Sequence, residues 1–371
     1  VVAAGAAALG EPMKLLDRYL IGQMMWFTLL VTAALVTLAA LFSFIEQQSD
    51  VGVGSFGMLD AFLVTLLLVP KQTFQLLPIA SLIGSLLGLG NLARGSELIV
   101  IRAAGVSVAR VALAAAMAGV VLVAVGAILG EALAPPLEDY ARQVKTVGKY
   151  SNMNYAGRAG IWLKDGPRIV SIEQQSADNL YGGIFIYQLQ AGDDGHQHLA
   201  SVMHADSASF VRGQTWKLGN YAVSRLGPER VATQRAATML VDSAVSSELL
   251  SAAAVDPGSL PVRGLWRYVA HLRANGLESR SWEIALWSRI ARSLSTVLLC
   301  MLAVPFVFGP LRAAGAGSRT VIGVVIGIVY FLVNRTLENS GDVYGLSPLL
   351  VAWAPAAALA AVTAVGIARV R

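Results

Sequence analysis

The residues with the most chemical potential in this chain are cations in apolar surroundings. Lys71 lies well inside an apolar run from Met58 to Ala93. Arg289 and Arg292 are three apart, on one helix face near the start of another run. Arg335 follows the uncharged stretch Thr320 to Asn334, and Arg142 and Lys145 come just beyond a further run. Charges at membrane depth are costly and usually functional. Six such cations would suit a lipid carrying phosphates, held through charge-assisted hydrogen bonds. A structural reading stands beside this one. Arg289 could pair with Glu283 and Arg335 with Glu338, and the long side chains could snorkel. Lys71 has no acidic residue close in sequence.

A second constellation is Gly84 to Arg110, GSLLGLGNLARGSELIVIRAAGVSVAR. An apolar run ends at Ala93. The polar segment Arg94 to Glu97 leads into a short amphipathic piece, Leu98 to Ala104, and then a turn at Gly105-Val-Ser107. This predicts two spans joined by a short helix at the membrane surface. Ser96 is placed to cap that helix, and Glu97 in its first turn complements the helix dipole. Arg94, Arg102 and Arg110 mark this side as cytoplasmic. The segment is either an ordinary loop or a coupling helix that docks into a cytoplasmic motor subunit.

Other chemistry finds little support. There is no G-x-x-x-x-G-K-[ST] loop, so nothing here is expected to hydrolyse ATP. His196 and His198 supply two ligands, where catalytic zinc takes three. Cys300, the one cysteine, reads as a small buried hydrophobe. No serine or cysteine has an activating arrangement, and no basic run suggests nucleic acid. A secondary transporter would need intramembrane acidic residues, and the cores of the first, third and sixth spans are uncharged.

The elements that must position these residues follow from composition. The 371 residues are 56% hydrophobic and 14% charged, with mean hydropathy +0.62. Soluble domains carry about 25% charged residues, so this is an integral membrane protein. Residues 1–12 read as an upstream extension, without the basic region of a signal peptide. Spans are expected at Leu20–Ile45, Met58–Ala93, Val108–Gly130, Ser281–Leu311, from Thr320, and Pro348–Ala368. The second carries Pro70 and Pro78, and its Gly84 and Gly88 offer a close-packing face. Pro135-Pro136 should close the third, with Glu138–Tyr150 as a possible extension. Thr320–Asn334 gives only about 22 Å of uncharged helix, so Arg335 falls within the membrane.

Between the third and fourth spans the chain turns polar. Ile161 to Val170 reads as two strands about an Asp165-Gly166 turn. Further strands are expected at Ile184–Gln190, His198–His204, Ala208–Val211, Thr215–Leu218 and Tyr221–Leu226, in a sandwich. Ser259–Ala274 is an amphipathic helix with Leu265, Tyr268, Val269 and Leu272 on one side, ending at Gly276. Lys14, Arg18, Arg94, Arg102, Arg110, Arg312, Arg319, Arg369 and Arg371 fall on one side, whereas the Glu46–Gly57 and Asn339–Ser347 loops hold no Lys or Arg. Both termini are therefore expected in the cytoplasm, with the polar domain outside.

SELIVIRAAGVS preceded by GSLLGLGNLA resembles the lipopolysaccharide-export permeases of the LptF/LptG family. Leu16-Asp-Arg-Tyr19, Val69-Pro-Lys71, Ile161-Trp-Leu-Lys-Asp-Gly166 and Phe306-Val-Phe-Gly-Pro-Leu-Arg312 fit the same family in order and spacing, from Met13 to Arg371. One departure is that nothing basic occurs between Arg18 and Lys71. The resemblance implies a membrane α-helical protein, six transmembrane helices (3+3) with an inserted all-β periplasmic jelly-roll domain. The expected layout is the extension 1–12, then helices 1–3 over 13–137 with a cytoplasmic coupling helix at 94–106. The periplasmic domain takes 138–280 and helices 4–6 take 281–371. It further implies ATPase coupling through Glu97 with Ser96, Arg94 and Arg102. Lipopolysaccharide would bind at a rim of Lys71, Arg142, Lys145, Arg289, Arg292 and Arg335.

The implied partners are an LptF-like permease, a cytoplasmic LptB-like ABC ATPase dimer, and LptC-like and LptA-like periplasmic bridge proteins. The ATPase, and not this chain, would bind ATP and Mg. The reading is a non-catalytic half-permease of the Gram-negative inner membrane. The alternative is a mechanotransmission-type ABC subunit that moves its periplasmic domain without carrying lipid.

Overall fold

A computed structural model describes residues 2–149, 161–175, 180–191, 196–212, 215–227, 230–242, 257–308 and 315–370. The helices are α1 (Val2–Gln48), α2 (Met58–Arg94), α3 (Glu97–Ala103), α4 (Val108–Ala127) and α5 (Ala134–Lys149), then α6 (Val262–Ala274), α7 (Arg280–Phe308), α8 (Ala316–Val343) and α9 (Pro348–Arg369). Among the described residues, six stretches are long and apolar enough to cross a membrane, three before the β region and three after it. Helix α2 runs unbroken through Pro70 and Pro78. Residues 309–314, which hold the end of the Phe306–Arg312 motif, lie outside the described residues, as does Arg371.

The chain divides into two compact units. One comprises residues 1–49, 61–141 and 283–371; the other comprises 50–60 and 142–282. In the helical unit, leucines at 82, 86, 89 and 92 on α2 form a core with Val111, Ala115 and Leu122 of α4 and Leu299, Ala303 and Val307 of α7. Helix α1 crosses α2 where Gly84 and Gly88 remove side-chain bulk. A Cβ on Gly84 would lie 2.4 Å from the Thr28 Cα, and one on Gly88 3.1 Å from the Met24 Cα. Membrane helices gain no hydrophobic drive over lipid, so such backbone approach supplies the packing.

Pro135-Pro136 does not end the third long helix. A π-helical segment, Ile128–Leu133, joins α4 to α5, and the helix continues to Lys149. The Ala134 N–H bonds the Leu129 carbonyl in the wider π register. The two prolines lack N–H groups, so the i+4 ladder could not have been completed across them. The extension expected over Glu138–Tyr150 is thus helical as far as Lys149, and Tyr150 lies outside the described residues.

The second unit is an antiparallel sheet whose order follows the chain: β1 (Ile161–Asp165), β2 (Arg168–Gln175), β3 (Leu180–Ala191), β4 (Gln197–Arg212), β5 (Thr215–Leu226) and β6 (Val231–Asp242). Gly166, at φ +58°, makes the β1–β2 turn. Among the described residues the strands form one consecutive meander. The two packed sheets and crossed connections of a sandwich or jelly roll are not among them. The strands expected at His198–His204 and Ala208–Val211 are one strand, β4, and those at Thr215–Leu218 and Tyr221–Leu226 are likewise β5. The sheet buries Leu163, Ile172, Tyr181, Ile184, Trp216 and Leu218 with Tyr268 and Leu272 of α6. All four apolar residues expected on the α6 inner face are buried, and Gly276 follows its end at φ +63°.

Candidate functional site

The α2–α3–α4 corner is built by local backbone geometry. Gly95 and Ser96 close the end of α2, their N–H groups donating to Asn91 and Ala93 carbonyls at 3.1 and 3.2 Å. Ser96 sits at φ 59°, in the left-handed region, and its hydroxyl makes no cap. The expectation of a Ser96 side-chain cap is therefore corrected. Its role is a tight turn, and its carbonyl accepts from Ile99 and Val100 N–H, each at 3.1 Å. The side-chain cap instead occurs one helix later, where the Ser107 hydroxyl accepts from the Arg110 N–H at 3.3 Å.

Helix α3 buries Leu98 and presents Ile99 and Val100 to the outside. Glu97 opens it. The Tyr19 hydroxyl donates to the Glu97 carboxylate at 2.8 Å, from 78 residues away. Two residues earlier on α1, Asp17 receives two hydrogen bonds from the Arg110 guanidinium, one of them from Nε at 3.0 Å. The Arg102 guanidinium lies over the Phe308 ring at 5.5 Å. Arg94 is exposed at the end of α2. So the Leu16–Tyr19 motif and α4 fix the corner from two sides. Asp17 and Tyr19 were missed as site residues. Their signal was the motif itself, a carboxylate and a phenol beside an apolar run.

The cations in the apolar spans do not stand alone. Lys71 donates to Glu138 at 2.7 Å, with 28% of its side chain exposed. Its acidic partner was absent from the local sequence and comes from the far end of the third span. Arg289 is held from the third span. It donates through Nε to Glu131 and through Nη2 to the Gly130 carbonyl at 2.6 Å. Its guanidinium also lies 5.1 Å from the Phe74 ring centroid.

The backbone explains that arrangement. The Gly130 carbonyl has its i+4 donor, Ala134, turned to Leu129, and its i+5 position is Pro135. Arg289 supplies the missing donor, which buried carbonyls require. Gly130 also admits Phe74, because a Cβ there would lie 2.7 Å from that ring. Arg289 is thus an inter-helix strut, with only 10% of its side chain exposed.

Arg292 and Arg335 form a looser group. Glu338 accepts from Arg292 at 3.4 Å and lies 3.9 Å from Arg335, the expected partner at i+3. Arg335 is 66% exposed. In the other unit, Asp50 joins Lys145, at 2.8 Å, and Lys149. These two lysines, through hydrogen bonds, hold the Asp50 carboxyl below the usual carboxylate range. Arg142 lies half-buried on the same helix. Four of the six cations therefore belong to the helical unit and two to the other. Sequence reasoning missed Glu131 and Glu138, two turns apart on the third span, because it searched each cation's own neighbourhood. Among the described residues, no three His, Cys, Asp or Glu side chains gather as a metal site requires.

Six apolar helices, with an antiparallel β region inserted in the chain between the third and fourth and paired charges set in the spans, define a multi-pass membrane transport subunit. The family model described as lipopolysaccharide export system permease LptF/LptG matches residues 18–369. The chain belongs to that family. It is 33% identical over 350 residues to the lipopolysaccharide export system permease protein LptG of Escherichia coli K12, covering 94% of this chain and 96% of the relative. The LptG protein of Haemophilus influenzae is 30% identical over 341 residues, covering 92% and 94% respectively.

Proposed function

We propose that this chain is one half of an ATP-driven permease that lifts lipopolysaccharide from the outer leaflet of the inner membrane. Its full-length similarity to proteins named as lipopolysaccharide export permeases supports the substrate. The observation that carries a lipid path is the set of partly exposed cations in apolar spans, Lys71, Arg292 and Arg335. These would engage the lipid's phosphates, with Arg289 holding the helices beneath them. Arg142 and Lys145, in the other unit, are further candidates for phosphate contact. Both termini face the cytoplasm and the β domain the periplasm, following the Lys/Arg asymmetry of the loops.

In this mechanism the lipid passes sideways into a cavity shared with an LptF-like half-permease. An LptB-like ATPase dimer, which binds the ATP and Mg, pushes on α3 through Glu97, Arg94 and Arg102. The apolar face of Ile99 and Val100 would seat in the motor subunit. Closure narrows the cavity, and the β domain passes the lipid to LptC-like and LptA-like bridge proteins.

Gentle-detergent purification of the tagged chain, with mass spectrometry of what accompanies it, tests this. A second permease, an ABC ATPase and lipopolysaccharide together support it. An ATPase without lipid favours a mechanotransmission subunit instead. Glu97→Lys should abolish export while the chain still inserts, and unchanged export would remove the coupling role.

A further inference from the structure

We propose that Glu138 and Glu338 are built-in counter-anions that hold the lipid-binding cations until a phosphomonoester-bearing lipid displaces them. The proposal rests on the reading of Lys71, Arg292 and Arg335 as phosphate-binding groups.

An unpaired ammonium or guanidinium in an apolar span is costly. A binding rim made of cations therefore needs anions of its own whenever the ligand is away. The carboxylates meet that need. Glu138 is 10% exposed and touches Lys71 at 2.7 Å; Glu338 is 17% exposed and serves Arg292 and Arg335 together. Each carboxylate lies deeper than the cation it holds, since Lys71, Arg292 and Arg335 are 28%, 32% and 66% exposed. An incoming anion thus meets the cation first. A phosphomonoester brings about −1.5 to −2 charges and three acceptor oxygens, against one charge and two oxygens for a carboxylate. Binding becomes an exchange of partners, and release is the reverse exchange, aided by the returning carboxylate.

The Arg289–Glu131 pair marks the contrast. Arg289 is 10% exposed, less than its 29% exposed carboxylate, and is also bound to the Gly130 carbonyl and the Phe74 ring. It is built to stay. Glu338 is the opposite case, one carboxylate divided between two guanidiniums at 3.4 and 3.9 Å, so neither is fully satisfied.

The test uses the complex purified through this chain, in phosphatidylethanolamine nanodiscs, titrated with bisphosphorylated lipid A. Glu138→Gln keeps the shape and removes the competing charge. It should tighten lipid A binding roughly two- to fivefold, the size of one weak ion pair, and slow release. Glu338→Gln should do the same and carries the test alone if the Glu138 variant does not insert. Glu131→Gln should lower thermal stability with no gain in affinity. Dephosphorylated lipid A should show no gain with any variant. Binding no tighter than the unaltered protein in both Gln variants, while Lys71→Gln weakens it, overturns the exchange and leaves the phosphate rim standing. Unchanged binding in both Lys71→Gln and Arg335→Gln removes the rim and the exchange together. An equal gain toward phosphatidylglycerol overturns the assignment to phosphomonoesters.

Discussion

Helices α2 and α8 are comparably apolar, yet their surroundings differ sharply. The apolar heart of α2 is mostly buried in the helical unit, whereas little of the α8 span is buried. Lipid is as apolar as a protein interior, so side-chain hydrophobicity does not decide which face meets protein. Size and polarity decide it. Helix α2 carries Ala80, Ser81, Gly84, Ser85 and Gly88 among its buried residues, and Gly84 admits the backbone of α1. Helix α8 has one comparable stripe, Gly323 and Gly327, which faces Ile79, Ile83 and Leu86 of α2. Ile322, Ile326 and Tyr330 pack against the core, whereas Val325, Val329 and Leu332 face outward.

Gly84→Leu should break this comparison most severely. Its side chain would strike the Thr28 backbone, which no rotamer change relieves. A loss of at least about 3 kcal/mol is expected, read as loss of the monodisperse peak in detergent chromatography. Arg289→Gln comes next. It leaves Glu131 and the Gly130 carbonyl without their donor, at about 2–3 kcal/mol, measured by thermal unfolding in nanodiscs. Gly327→Leu meets the Ile79 side chain, its Cγ2 2.7 Å from the added Cβ, and no backbone, so a smaller loss of about 1–2 kcal/mol is expected. Val329→Leu, on the outward face, should change stability by less than about 0.5 kcal/mol. If Gly327→Leu proved as damaging as Gly84→Leu, the distinction between the two helices would fail.

The smallest effect sharpens the contrast between apolar and aqueous pairs. The Asp50 carboxyl, held low by Lys145 and Lys149, adds stability above its unfolded pKa of about 3.9. That stability disappears as pH falls through the lower folded value. Asp50→Asn should therefore slightly weaken hydrogen-exchange protection near Lys149 at pH 7. Below the folded value the variant and the unaltered chain should match.

Local pattern made much of the architecture legible. Long uncharged runs announced the spans, and the Asp165-Gly166 turn announced β1 and β2. Strand β6 went unseen because Val231 to Asp242, VATQRAATMLVD, lacks an alternating apolar face; residues 231–240 are all exposed. Its existence depends on pairing with β5. Strand β4 was split in the sequence reading because Asp206 and Ser207 interrupt its apolar pattern, yet both belong to the continuous strand. Ser96 shows the reverse error. Its type suits a cap, but the turn after α2 forces it to φ 59°, where the hydroxyl makes none.

By itself the sequence determined the membrane character, the three-plus-three order of spans, the inserted β region and which cations lie in apolar stretches. Each rests on composition or on a period of two or 3.6 residues, information carried by near neighbours. Only the tertiary structure decided what those cations touch. Glu138 reaches Lys71 across 67 residues, and Glu131 reaches Arg289 across 158. The π segment that leaves the Gly130 carbonyl for Arg289 likewise acts through a contact between separate helices. Coulomb and hydrogen-bond energies depend on distance in space, and separation along the chain does not set that distance.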